Sequence, residues 1–273
     1  ADCVKFQMRH LDKVYRKKAL KKDGEDLGTE YVVDLLNRFE LKKEDHVKLF
    51  NYAKEKNITY LCTPWDEDSI KFLESLGVAA YKVASADLTN SPLIKNLIDT
   101  KKPLILSTGM STEEEVKIAT NLLNKHSSEF VLLHCNSTYP APVQDINLKW
   151  INELQKIHSY IGYSGHERGI NISLASVSFN ICLIERHFTQ DRNMEGPDHA
   201  ASLTKEEFTL MVKGIREIEA ALGGTDRKLS QGEMINRENL SKSLVSSKAL
   251  KKGHVIEDGD ILVRSPGQGL SPQ

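Results

Sequence analysis

Short apolar runs alternate with longer amphipathic stretches along the chain, at a period of roughly 25 residues, the pattern of repeated strand–helix units. Runs suited to strands are Cys3–Met8, Ile58–Thr63, Ala80–Ala84, Pro103–Ser107, Phe130–Cys135, Tyr160–His166 and Ile181–Thr189. Between them apolar residues recur at helical spacing, near Thr29–Arg38, Lys43–Lys56, Asp66–Leu76, from Ser91-Pro92 onward, up to Asn124, at Leu148–Ile157 and at Ile170–Phe179. Ser91 before Pro92 reads as a helix cap followed by proline in the first turn, and Ser111 with Glu114 as a capping box. Thr204 with Glu207 caps a last long helix, whose Phe208, Met211, Ile215, Ile218 and Leu222 form one apolar stripe before Gly223-Gly224 ends it.

Seven parallel-type strands in such an alternation predict an α/β fold, a (β/α)8 barrel whose first strand is expected upstream of Ala1. An open doubly wound sheet is the alternative, and no Gly-rich phosphate turn follows any of the strands to support it. The barrel is expected to occupy residues 1–224, with a polar linker over 225–242. Residues 243–273 carry short strand signals around Lys251-Lys252-Gly253 and at Ile261–Arg264. A segment of that length is too short for an independent core and predicts the first part of a small C-terminal domain.

Polar residues interrupt this pattern where strands should end. Ile181–Ile184 suits a strand buried on both faces, yet Glu185, Arg186 and His187 follow with no turn residue between. Strand alternation puts Glu185 and His187 on one face. Taken alone, they suit a core histidine beside a Glu185–Arg186 ion pair. The preceding strand repeats the arrangement with Ser164 and His166. A helix between two parallel strands makes a βαβ unit, so the two imidazoles should face one another at neighbouring strand ends, half of a metal site. The other strand ends are polar too: Lys5 and Gln7, Thr63, Lys82 and Ser85 with Asp87 beyond, Ser107, then Asn136, Ser137 and Tyr139. Taken singly, Thr63, Ser107 and Ser137 suit turns and caps. Converging on one barrel mouth, two lysines and several hydroxyls make an anion site, best suited to phosphate. Glu185 beside them is a candidate acid or base.

Composition narrows the partners. The chain has 273 residues, 27% charged and 40% hydrophobic, with a formal net charge of -1. That balance points to no nucleic-acid or membrane partner, and no apolar run approaches the roughly 20 residues of a membrane span. The basic cluster Arg16, Lys17, Lys18, Lys21 and Lys22 is expected to be a solvated loop. Cys3, Cys62, Cys135 and Cys182 fall in expected strands without metal or disulfide spacing, which suits reduced packing residues in a cytoplasmic protein.

With these residues in place the chain resembles the bacterial sialic acid synthase (N-acetylneuraminate synthase) family. The resemblance runs collinearly through Val4-Lys5-Phe6-Gln7, Ala80-Tyr81-Lys82, Leu106–Met110, His134-Cys135 with Tyr139-Pro140, Tyr163–His166, Glu185–Thr189, Gly196-Pro197-Asp198 and Pro266-Gly267. It implies a barrel followed by an antifreeze-like domain, in a homodimer where that domain covers the partner's barrel mouth. It implies condensation of phosphoenolpyruvate with N-acetylmannosamine or a related N-acetylated amino sugar, with release of phosphate. By resemblance His166 and His187 match ligands of a divalent metal, manganese or magnesium. Lys5, Thr63, Lys82, Ser85, Ser137 and Ser164 match the phosphoenolpyruvate side, and Gln7, Asp87, Tyr139 and Asp198 the sugar side; Ser107 is a further substrate-binding candidate. Glu185, Lys5 and Tyr139 are the implied catalytic groups. The chain departs from the pattern in three places. The family's Glu-Ile-Gly and Asn-His motifs are not in this sequence, Asp87 stands where some members have Glu, and Ser265 stands where an arginine normally precedes Pro-Gly, with Arg264 one position earlier. Two other readings share these features: another phosphoenolpyruvate-dependent sugar-acid synthase, and a non-catalytic carbohydrate-binding or spore-coat-type relative.

Overall fold

The computed structural model describes residues 1–15 and 29–273; the basic cluster at 16–22 lies outside them. Seven strands, β1 (Cys3–Met8), β2 (Thr59–Pro64), β3 (Tyr81–Val83), β4 (Leu104–Ser107), β5 (Phe130–Cys135), β6 (Ile161–Gly165) and β7 (Leu183–Arg186), form one sheet in the order β1-β2-β3-β4-β5-β6-β7. Every pairing is parallel. Sequential order with no reversal rules out the doubly wound alternative, whose strand order must switch direction. This is a TIM-barrel-like α/β fold, in which all strand C-termini open on one side.

The core explains why the apolar runs are strands. Tyr81, Leu104, Leu106, Leu132 and Ile161 are fully buried beneath helices that turn Leu73, Ile94, Leu97, Leu123, Ile151 and Leu154 toward the sheet. Each such side chain contributes roughly 1.5–3 kcal/mol by leaving water. Helix Glu67–Leu76 is capped by Asp66, whose side chain accepts from the Ser69 N–H, and ends at Gly77 with φ of 74°. Helix Lys205–Leu222 begins on Thr204 and Glu207 as the sequence predicts, with Thr204 N–H 3.0 Å from the Glu207 carboxylate.

Some boundaries moved. The capping box of helix Glu113–Lys125 is Thr112 with Glu115, one residue later than Ser111 with Glu114; the run of glutamates allows either spacing, and the Ser111 hydroxyl donates to Gly109 O instead. Asn90, not Ser91, caps helix Ser91–Asp99. The expected helix 170–179 is α-helical only over Asn171–Ser176, then tightens to a 3₁₀ turn. Cys182 precedes β7 and, like Cys3, is exposed, whereas Cys62 and Cys135 are buried; all four are free thiols.

The chain separates into two compact units, Ala1–Leu222 and Gly223–Gln273. Within the second, the stretch expected to be a linker contains a helix, Gln231–Leu240, nucleated by a Ser230–Glu233 capping box. Strands β8 (Ser243–Ser246) and β9 (Ile261–Arg264) pair antiparallel, while Lys251-Lys252-Gly253 is a turn. Its two buried residues, Ser243 and Asp260, are both polar. Asp260 accepts from His254 Nε2 at 2.6 Å and pairs with Lys248 at 2.7 Å, so charge organises this unit where an apolar core does not. Among the described residues no helix is long and apolar enough to cross a membrane.

Candidate active site

Register builds the site. Ser164 pairs with Glu185 and Gly165 with Arg186, so His166 and His187 leave β6 and β7 one residue past matched strand ends. Their rings meet edge-on, 5.2 Å between centroids with their planes 61° apart. Tyr139 packs on both, 4.1 Å from the His166 ring and 5.7 Å from the His187 ring. His166 Nδ1 donates to Asn136 O at 2.6 Å, so in the neutral ring the lone pair lies on Nε2. His187 Nδ1 lies 3.6 Å from Asp198. Burial, more than anything else, lowers the His187 pKa to about 4 and keeps that imidazole neutral. The pair fits a divalent cation: two adjacent imidazoles, one anchored through its second nitrogen and the other beside a carboxylate. Among the described residues no group of three or more His, Cys, Asp or Glu could hold a metal ion. Further coordination positions would fall to substrate and water.

Beside the imidazoles lies a charged pair. Lys82 is 3% exposed. Its Nζ donates to Ser107 Oγ at 2.7 Å and Val83 O at 2.8 Å, and stands 4.0 Å from Glu185. Burial holds the Lys82 pKa below the usual lysine range, against the opposing pull of Glu185. Burial also pushes Glu185 upward, but Lys82 first, then Lys5, His187 and a 3.1 Å hydrogen bond from Ser164 outweigh it and hold the carboxyl at about 2. Glu185 is therefore an anion and a hydrogen-bond acceptor at neutral pH. It does not pair with Arg186, as the sequence alone allows. Arg186 points the other way and pairs with Glu167 at 2.8 Å.

The hydroxyls converge around Gly109. A Cβ there would come within 2.2 Å of Ser137 Oγ and 2.8 Å of Ser85 Oγ, so only glycine leaves room for both. Ser137 Oγ is buried without a partner, and Ser85 Oγ meets Cys135 Sγ at 3.7 Å. At the β1 side, Thr63 is buried and pairs in register with Gln7. Gln7 accepts from Trp65 and Arg9. Asp87 accepts from Asn90 through one oxygen, while the other is buried and unpartnered; burial raises its pKa, opposed by Asn90 and then Arg9.

One group thus gathers Lys82, Ser107, Glu185, Ser164, the two histidines, Tyr139 and Asp198, with the Lys5 charge felt by both Glu185 and His187. Ser85 and Ser137 join through the Gly109 cradle. Gln7 and Asp87 belong to a second corner around Arg9. Sequence reasoning passed over Arg9, Trp65 and Glu167. Arg9 was visible as the next step of the Lys5, Gln7 alternation; Glu167 carried no local signal, because its partner lies on the next strand.

A TIM-barrel-like sheet with cationic, carboxylate and imidazole groups gathered at its C-terminal rim has the place and the chemistry of a barrel-enzyme active site. The chain belongs to the NeuB family, the sialic acid synthases: the family model matches residues 1–227. It is 39% identical to the N,N'-diacetyllegionaminic acid synthase of Campylobacter jejuni, over 99% of this chain and 83% of that protein. It is 34% identical to the human N-acetylneuraminate-9-phosphate synthase, over 94% of this chain and 72% of that protein. The crystal structure of the N-acetylneuraminic acid synthetase of Leptospira borgpetersenii, in complex with citrate, superposes with a TM-score of 0.75 at 31% identity, covering 86% of this chain and 79% of that one.

Proposed function

We propose that this protein condenses phosphoenolpyruvate with N-acetylmannosamine or a related N-acetylated amino sugar, releasing phosphate and forming a nonulosonic acid for surface carbohydrate. The observation that carries it is the meeting of Lys82 and Ser107 with the ionised Glu185 and the adjacent imidazoles at one rim. Lys5 and Lys82 hold the phosphoenolpyruvate anion, with Thr63, Ser85, Ser107 and Ser137 as hydroxyl donors, while Ser164 lies on the same side with its proton given to Glu185. Gln7, Asp87, Tyr139 and Asp198 stand on the sugar side. Holding both substrates converts a bimolecular encounter into an oriented one. The enol carbon forms a bond to the open-chain aldehyde carbon, whose oxygen takes up a proton from solvent. Water adds at the resulting cationic carbon and gives one proton to Glu185, held as an anion, which returns it to solvent. The new hydroxyl then gives its proton to the departing phosphate as the carbon–oxygen bond to phosphate breaks, leaving a ketone. Manganese or magnesium held by His166 and His187 would polarise the aldehyde.

The same reading takes the sheet as a (β/α)8 barrel and residues 243–273 as part of an antifreeze-like domain. In a cytoplasmic homodimer that domain closes the partner's mouth and excludes water that would compete for the intermediate. The test is phosphate release by the intact protein from phosphoenolpyruvate and manganese, across N-acetylmannosamine and diacetamido sugars. Release that depends on one of these sugars is expected; none with any of them refutes the reading.

A further inference from the structure

Arg9 and Trp65 have no part in the chemistry above, yet they settle what Gln7 presents. By alternation Lys5, Gln7 and Arg9 share one side of the β1 end, and Trp65 directly follows β2. Gln7 Oε1 accepts two hydrogen bonds, from Trp65 Nε1 at 3.1 Å and from Arg9 Nη2 at 2.5 Å. An indole N–H and a guanidinium donate and have no acceptor capacity. Turning the amide over would set its NH2 against two donors and leave both unpartnered in a part-buried place. Arg9 is itself held. Its guanidinium lies 4.6 Å over the Trp65 ring, its Nε is 3.2 Å from Glu40 Oε2, and its backbone N–H donates to Glu40 Oε1 at 3.1 Å. With its oxygen occupied, Gln7 has only its two amide N–H bonds to offer a ligand.

We propose that Trp65 and Arg9 are positioning residues for acceptor selectivity: by fixing the Gln7 amide they make this corner of the mouth a hydrogen-bond donor, which selects an N-acetylated amino sugar over one with a free ammonium. The inference rests on the reading that the sugar lies beside Gln7. An acetamido carbonyl accepts from the amide N–H. An ammonium only donates, and would meet the NH2 donor to donor while losing its water. An amide free to turn would present either face and lose the preference, so the discrimination comes from the restraint as much as from the contact.

The test is calorimetric titration of the intact protein with N-acetylmannosamine and with mannosamine, on wild type, Trp65→Phe, Gln7→Glu and Gln7→Ala. Trp65→Phe keeps a ring under Arg9 and deletes one donor. Gln7→Glu keeps an acceptor for both donors and turns a second acceptor toward the ligand. Trp65→Phe is expected to reduce the preference for the acetylated sugar by roughly 5- to 10-fold. Gln7→Glu should reduce it further, and phosphoenolpyruvate affinity should be unchanged in Trp65→Phe. If Gln7→Ala weakens the acetylated sugar but Trp65→Phe leaves the preference intact, the restraint is refuted while Gln7 stays beside the sugar. If Gln7→Ala binds both sugars as wild type does, the sugar lies elsewhere and the inference falls with the reading beneath it. Equal losses for both sugars and phosphoenolpyruvate, with a lowered Tm, mark a purely structural role and also overturn it.

Discussion

Glu185 and Arg186 are neighbours on β7, point to opposite sides of it, and each meets an opposite charge, but the two pairs are built differently. Arg186 and Glu167 are fully buried, and apart from Arg186 Nε their side-chain polar atoms are all hydrogen-bonded. Arg186 donates to Glu167 Oε1, Gly169 O and Ser173 Oγ at 2.8 to 2.9 Å and to the backbone oxygen of Glu167, while Tyr163 donates to Glu167 Oε2 at 2.7 Å. Gly165 makes this possible, since a Cβ there would meet the Glu167 oxygens at 2.7 and 2.9 Å. Lys82 and Glu185 instead stand 4.0 Å apart, and the unpartnered hydroxyl of Ser137 belongs to the same rim. A charge whose hydrogen-bonding capacity is filled by its own chain serves the scaffold. A charge kept ionised with capacity to spare is available to a ligand, and that difference separates the back of β7 from its mouth side.

The contrast breaks most severely at the scaffold pair. Arg186→Met strands a buried carboxylate and is expected to cost about 3–5 kcal/mol in urea unfolding. An Arg186→Met/Glu167→Met double variant should recover part of that loss, because no charge is then left unpaired. At the mouth the outcome is reversed. Lys82→Met should lower kcat/KM for phosphoenolpyruvate by at least about 100-fold in phosphate release, with a smaller loss of stability, since Glu185 is partly exposed and keeps Lys5 and Ser164. An unchanged rate and affinity would remove Lys82 from the site.

The smallest effect belongs to a third kind of buried polar group. His46 is fully buried on helix Lys43–Glu55, 2.6 Å from Tyr60 Oη, with Nε2 unpartnered. Burial lowers its pKa below 6.5. The unfolded chain therefore takes up the proton first, so this contribution is complete above pH 6.5 and is lost as pH falls toward the folded value. Urea midpoints measured at pH about 7.5 and about 5.5 should differ less in His46→Gln than in wild type. An equal difference would assign the acid sensitivity to other groups.

Much of this was legible beforehand. The strand and helix series and the facing of Lys5, Lys82 and Glu185 follow from alternation within single elements, and the neighbouring His166 and His187 from the βαβ connection between β6 and β7. The elements that escaped were those where local spacing was degenerate or charge replaced apolar patterning. The glutamate run left the start of helix Glu113–Lys125 open by one residue, and helix Gln231–Leu240 lay hidden in a stretch with no apolar stripe.

By itself the sequence determined which residues share a strand face and which ends of the strands are polar, because a period of two or 3.6 is a property of the local backbone. Only the tertiary structure decided the pairings. Arg186 turned to Glu167 instead of its neighbour Glu185, Lys82 came to stand across from Glu185, and Arg9 and Trp65 closed on Gln7. Each of these joins different strands or the loops beyond them. Strand register and burial fix which opposite charges can meet, and no spacing along one chain segment encodes that.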